Sequence, residues 1–176
     1  MTALVVFESM TGGTKEIAEA VAAGLASTGP VLVQEVGVLA ATPGSRMLPK
    51  DVTLLVVGGP TLGFGLNRPS TRQDAANSAP LGVTTSGKGL REWLTALSLP
   101  TGGLPVAAFE TKTNKPTLPG SSAAKSAEKR LRALGGRPVT AARSFRLEPR
   151  GDVLMTGETE AAKAWGAELG TARARL

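Results

Sequence analysis

The chain contains no cysteine, no histidine and no tyrosine. Without thiols there are no disulfides, no thiolate metal ligands and no thiolate nucleophile, so dithiol redox chemistry and Cys-dependent phosphatase chemistry are excluded. Without imidazole there is no Ser-His-Asp triad and none of the common zinc sites. Redox chemistry here must therefore come from a bound cofactor. Aromatic residues make up only 3% of the chain, and no tract interleaves them with basic residues, so nucleic-acid recognition lacks its usual parts. No apolar run approaches the roughly 20 residues that span a bilayer. The N-terminus has no basic stretch ahead of an apolar segment and no A-x-A-like site, so a signal peptide is not expected and the cytoplasm is the expected location.

What is present suits one soluble domain over residues 1–176, with 41% hydrophobic residues and no linker-like shift in composition. The formal net charge of +6 favours anionic ligands or partners. The cations are dispersed, with Arg68 and Arg72 in a loop, Arg130 and Arg132 on a helix, and Arg173 and Arg175 in the tail.

Hydrophobic periodicity alternates between strand and helix. Residues 3–7, 52–57 and 104–109 are short apolar runs of the kind buried on both faces of a parallel sheet. Residues 31–38 alternate more and suit a strand near an edge, and residues 139–147 read as a fifth strand. Ile17, Val21 and Leu25 mark one helix, and Leu90, Trp93, Leu94 and Leu97 another. Ala123, Ala127, Leu131 and Leu134 mark the next, and Ala161, Ala162, Trp165 and Leu169 the last. Residues 39–50 leave room for one short helix, and the long polar stretch 60–88 for another near residues 70–77. This order specifies an α/β fold with parallel strands, right-handed crossovers and helices on both faces. Phe109, Trp93 and Trp165 are expected in the core.

The first strand breaks off into Glu8-Ser9-Met10-Thr11-Gly12-Gly13-Thr14, and a helix pattern begins at once. Such a loop turns backbone N–H groups and the positive end of a helix dipole toward one spot. Glycines admit a close ligand, and Ser9, Thr11 and Thr14 add hydroxyls. Phosphate is the natural occupant, although neither G-x-x-x-x-G-K-[ST] nor G-x-G-x-x-G is present.

Residues 5–21 resemble the N-terminal signature of flavodoxins: an apolar pair, an aromatic, a hydroxyl residue, T-G-x-T and an alanine-bearing helix. Gly59-Pro60-Thr61-Leu62-Gly63-Phe64-Gly65 is similar to the flavodoxin loop after the third strand. Four further motifs resemble a group of bacterial flavodoxin-like domain proteins: Arg68-Pro69-Ser70-Thr71-Arg72, Leu90-Arg91-Glu92-Trp93-Leu94, Phe109-Glu110-Thr111-Lys112, and Gly157-Glu158 with Trp165-Gly166. The resemblance spans nearly the whole chain. It implies a three-layer sandwich with a five-stranded parallel sheet in the order 2-1-3-4-5, and a ligand crevice at the carboxyl ends of the strands.

The same resemblance implies FMN as cofactor. Its phosphate would sit in Ser9, Met10, Thr11, Gly12, Gly13 and Thr14. Its ring would lie beside Pro60, Thr61, Leu62, Gly63, Phe64 and Gly65, with Glu110, Thr111 and Lys112 at the ring edge. Met10, Leu62 and Phe64 are the apolar side chains placed to stack on it. The expected function is electron transfer by bound flavin, without a catalytic acid or base and without a metal. Arg68, Arg72, Lys88 and Arg91 would form a docking patch for an acidic redox partner. Two alternatives stand beside this one: a flavodoxin-fold binding or regulatory module that binds FMN weakly or not at all, and a flavin-dependent reductase using a reduced nicotinamide.

Overall fold

The computed structural model describes residues 1–63, 65–78, 85–115 and 120–175. Strands are β1 (Thr2–Phe7), β2 (Val31–Glu35), β3 (Val52–Pro60), β4 (Pro105–Thr113), β5 (Arg137–Pro138) and β6 (Arg143–Leu147). Helices are α1 (Gly13–Leu25), α2 (Val36–Ala41), α3 (Pro69–Ser78), α4 (Leu90–Ala96), α5 (Ala123–Ala133) and α6 (Glu158–Ala174). The sheet order is β2-β1-β3-β4-β5, with β6 also pairing with β4, and every pair is parallel. The fifth position of the sheet is thus shared by two short strands.

The strand alternation sorts the core into two layers. Leu4, Val6, Leu55, Val57, Val106 and Ala108 face α4 and α5, where Trp93, Leu94, Ala127 and Leu131 meet them. Ala3, Val5, Phe7, Leu54, Val56 and Phe109 face α1 and α6, where Ile17, Val21, Leu25, Trp165 and Leu169 meet them. Phe109, Phe145 and Trp165 pack edge to face with centroids 6.0–6.2 Å apart. The three large aromatics expected in the core are all there.

Four element boundaries differ from the sequence reading, each for a local reason. β2 ends at Glu35 rather than at residue 38, because the Glu35 carboxylate accepts from Gly37 N and Val38 N, both at 3.0 Å, and starts α2. β3 and β4 run three and four residues past their apolar runs, so that Gly58–Pro60 and Glu110–Thr113 are strand rather than loop. The strand expected over residues 139–147 is interrupted because Ala142 N donates to Glu128 Oε2 at 2.9 Å instead of to β4. Register with β4 resumes at Arg143 opposite Phe109.

Helices α1 and α6 cross through glycines. A Cβ at Gly24 would overlap the Lys163 carbonyl and lie 2.8 Å from Ala167 N, and one at Gly166 would overlap the Val21 carbonyl. On an exposed helix a Gly→Ala change gains up to about 1 kcal/mol. Here Gly24→Ala is expected to lose about 2 kcal/mol, because the overlap is with backbone and the helices must part. Urea denaturation checks the sign.

Candidate functional site

The loop after β1 carries its donors inward. Ser9 is buried, and its Oγ accepts from Gly12 N at 3.2 Å and from Lys15 N at 3.4 Å. Gly12 turns the chain into α1 at φ 100°, a left-handed conformation that a side chain would strain. Gly12, at the cap position itself, offers no side-chain acceptor. The amides of Thr11, Gly13 and Thr14 take no acceptor among the described residues. Three open N–H groups at the positive end of a 13-residue helix are donors of the kind that suit an anion. The nearest acids are turned to other tasks: Glu16 accepts from Thr159 Oγ1 at 3.0 Å, and Glu8 is buried beneath the loop. An ester phosphate therefore fits the donors present.

Other segments frame this loop. Thr85 N donates to Ser9 O at 2.7 Å, and Ser9 N donates to Thr85 Oγ1 at 2.9 Å. Thr11 Oγ1 donates to Gly151 O at 3.0 Å. The Thr14 hydroxyl is buried 2.6 Å from that of Thr111 and ties α1 to β4. Thr11 gives its O–H to Gly151, Thr14 and Thr111 share one bond in which either can donate, and the Ser9 O–H has no protein acceptor among the described residues. Thr85 and Gly151 went unnoticed in the sequence because nothing local marks a residue that closes over a distant loop.

The second loop begins where β3 ends. Thr61 N donates to Thr111 O at 2.9 Å, and Gly65 N donates to Ser121 O at 2.8 Å. Pro60 is buried, whereas Leu62 is 45% exposed and Gly63 is exposed. Phe64 lies outside the described residues. Met10 is buried with 1% exposure, so the expectation that it stacks on a ring is corrected: it belongs to the floor of the loop.

Glu110, Thr111 and Lys112 are not in a third loop but in β4. Glu110 is fully buried and its carboxylate is filled by protein donors. Oε2 accepts from Thr61 Oγ1 at 2.7 Å, Ser122 Oγ at 2.8 Å and Ala124 N at 3.2 Å. Oε1 accepts from Ser144 Oγ at 2.7 Å and faces Lys112 Nζ at 2.9 Å. Burial alone would raise its pKa, but bonds from Thr61, Lys112, Ser144 and Ser122 outweigh it and lower the pKa to about 2. This carboxylate joins β3, β4, β6 and the start of α5, and has no acceptor sites to spare for a ligand.

Glu8 makes a second buried junction. It accepts from Asn67 Nδ2 at 2.8 Å and from Leu90 N at 2.8 Å. Desolvation raises its pKa and wins over the lowering by Asn67, Leu90 and Arg72. Because the folded-state value lies above the unfolded one, ionising Glu8 costs the fold; the cost is complete above the folded-state value, fades as pH falls from there and is gone below the unfolded value. Glu8→Gln is thus expected to change stability at pH 7 by about 1 kcal/mol or less, far less than a change at Glu110. Chemical denaturation of the two variants side by side checks this.

The four cations assigned to docking do not share one surface. Arg72 is buried and donates to Glu92 Oε2 at 2.7 Å and to the carbonyls of Asn67 and Gly87 at 3.3 and 3.2 Å. Its guanidinium anchors the long loop from inside, which corrects its expected place in a docking patch. Arg68 and Lys88 are exposed, and Arg91 is half-buried.

A strand order of 2-1-3-4-5 with the first two loops at the carboxyl ends of β1 and β3 is the flavodoxin fold. Solved structures with this fold align over nearly the whole chain. A flavodoxin from the domain Archaea aligns at 17% identity and TM-score 0.65, covering 99% of both chains. Oxidised flavodoxin 1 from Bacillus cereus aligns at 19% identity and TM-score 0.66, covering 97% of this chain and 98% of its own. A Streptococcus pneumoniae flavodoxin aligns at 20% identity and TM-score 0.66, covering 97% of this chain and 99% of its own. No family model and no curated protein sequence matches the chain. No helix among the described residues is long and apolar enough to cross a membrane.

Proposed function

We propose that the protein is an FMN-binding electron-transfer protein. The observation that carries this reading is the set of open amides at Thr11, Gly13 and Thr14, on the first loop of a flavodoxin fold, with the Ser9 hydroxyl beside them. These groups would hold the phosphate. Thr61, Leu62, Gly63 and Gly65 would border the ring, with Leu62 as its exposed apolar neighbour. Glu110, Thr111 and Lys112 would act from below by fixing the second loop. Bound FMN would supply reversible one- and two-electron transfer. An acidic redox partner would meet Arg68 and Lys88, and a cytoplasmic location suits such a carrier.

The burial of Met10 favours a second reading. It removes one of the apolar side chains expected to stack on the ring, so a flavodoxin-fold module that binds FMN weakly or not at all is the competing account. Titration of FMN with purified protein separates the two. Quenched flavin fluorescence and a shifted visible spectrum, saturating at one equivalent in the micromolar range or below, support the carrier. Unchanged FMN fluorescence at 100 μM protein, on the order of a dissociation constant too weak for a resident cofactor, supports the module.

A further inference from the structure

Lys15, Arg72, Lys112, Arg132 and Arg143 each face a carboxylate. Arg91, Lys129 and Arg130 face none among the described residues, yet all three line one groove of about 430 Å³ between α4, α5 and the second loop, together with Gly65, Leu66 and Gly120. The one acid nearby on α5, Glu128, is engaged by Arg132 at 2.9 Å and by Ala142 N at 2.9 Å.

The two guanidiniums are held rather than free. Arg91 donates from Nε to the carbonyls of Leu66 and Asn67 at 3.1 and 3.3 Å, and from Nη2 to Leu66 O. Arg130 donates from Nη1 to Thr95 Oγ1 at 2.7 Å. Arg91 keeps Nη1, and Arg130 keeps Nε and Nη2, without a protein acceptor among the described residues. Burial first, then Arg130 and Arg68, lower the pKa of Arg91, and Glu92 and Glu8 partly offset them. Lys125 and Lys129, four apart on α5, add a repulsive pair. An anion seated in the groove would relieve this repulsion, and planar guanidinium forks match phosphate oxygens.

We propose that this groove binds the terminal phosphate or pyrophosphate group of a phosphorylated small molecule. Concavity and volume suit such a group better than the flat contact of a protein. Gly65 belongs to the second loop, so the ligand would lie beside the place proposed for the flavin ring. The site itself does not depend on flavin binding.

Isothermal titration at low salt tests it, with inorganic pyrophosphate and NADPH as probes. The proteins compared are Thr11→Glu, whose added carboxylate closes the first loop to anions, and the same protein further carrying Lys129→Gln/Arg130→Gln or Arg130→Lys. Binding of pyrophosphate to Thr11→Glu is expected, weakened at least tenfold by the added double substitution and partly kept with Arg130→Lys. NADPH binding more tightly than pyrophosphate assigns the groove to a dinucleotide phosphate, and pyrophosphate binding more tightly assigns it to a smaller phosphate. Equal melting temperatures by circular dichroism show that the variants are folded. Three results overturn the proposal: no binding of either probe to Thr11→Glu, equal binding with and without the added double substitution, or salt-sensitive binding of an acidic ferredoxin without pyrophosphate binding, which would make the groove a protein dock.

Discussion

Replacing Thr11 with glutamate raises the dissociation constant for FMN at least a hundredfold, read by flavin fluorescence at constant ionic strength. The new carboxylate stands next to the amides of Thr11, Gly13 and Thr14, which take no acceptor among the described residues. It repels a phosphate and competes for the same donors. Hydrogen bonds to a charged group are worth about 1.5–3 kcal/mol each, so losing two of them costs roughly 3 kcal/mol or more. That corresponds to about two decades in affinity. Thr11 is partly exposed and, among the described residues, its hydroxyl makes only the bond to Gly151 O at 3.0 Å, so the fold should survive the change. Equal affinity in variant and wild type would show that flavin, if bound, is not held by this loop.

Glu110→Ala is expected to destabilise the fold by about 3–5 kcal/mol, the range for breaking a buried pair on one side. It would strand Lys112 Nζ, three hydroxyls and the amide of Ala124. The same carboxylate predicts a pH dependence. Its folded-state pKa is lowered to about 2 from an ordinary 4.5. Its stabilisation, about 3 kcal/mol by linkage, is therefore complete above the unfolded value and is lost as pH falls from there toward the folded one. Urea midpoints for wild type and Glu110→Gln should differ at pH 6 and converge near pH 2. Parallel curves over that interval would mean that Glu110 is not ionised in the fold. FMN affinity should drop as well in Glu110→Ala, because Thr61 Oγ1 loses the acceptor that sets the second loop.

The strands and helices were legible wherever apolar periodicity was strong. The runs at residues 3–7 and 52–57 lie in the sheet, as does the third from Pro105 onward, and Trp93, Phe109 and Trp165 are core. Boundaries set by a single side chain were not legible. Glu35 ends β2 by capping α2, and Glu128 takes the amide that would have kept residues 139–147 in one strand. Burial of charge was the other blind spot. Glu110 and Arg72 look like loop and surface residues in the sequence, and nothing local shows that donors or acceptors many positions away will surround them.

The amino-acid sequence alone determined the parallel α/β order, the composition that rules out thiol and imidazole chemistry, and the place of a glycine- and hydroxyl-bearing loop after the first strand, because these follow from residue type and short-range period. Tertiary structure alone decided which donors of that loop stay open, where the charge of Glu8, Glu110 and Arg72 is spent, and which cations are left to gather without a carboxylate. Those outcomes depend on partners as far apart as Thr11 and Gly151, which meet only when the sheet and its crossovers are complete.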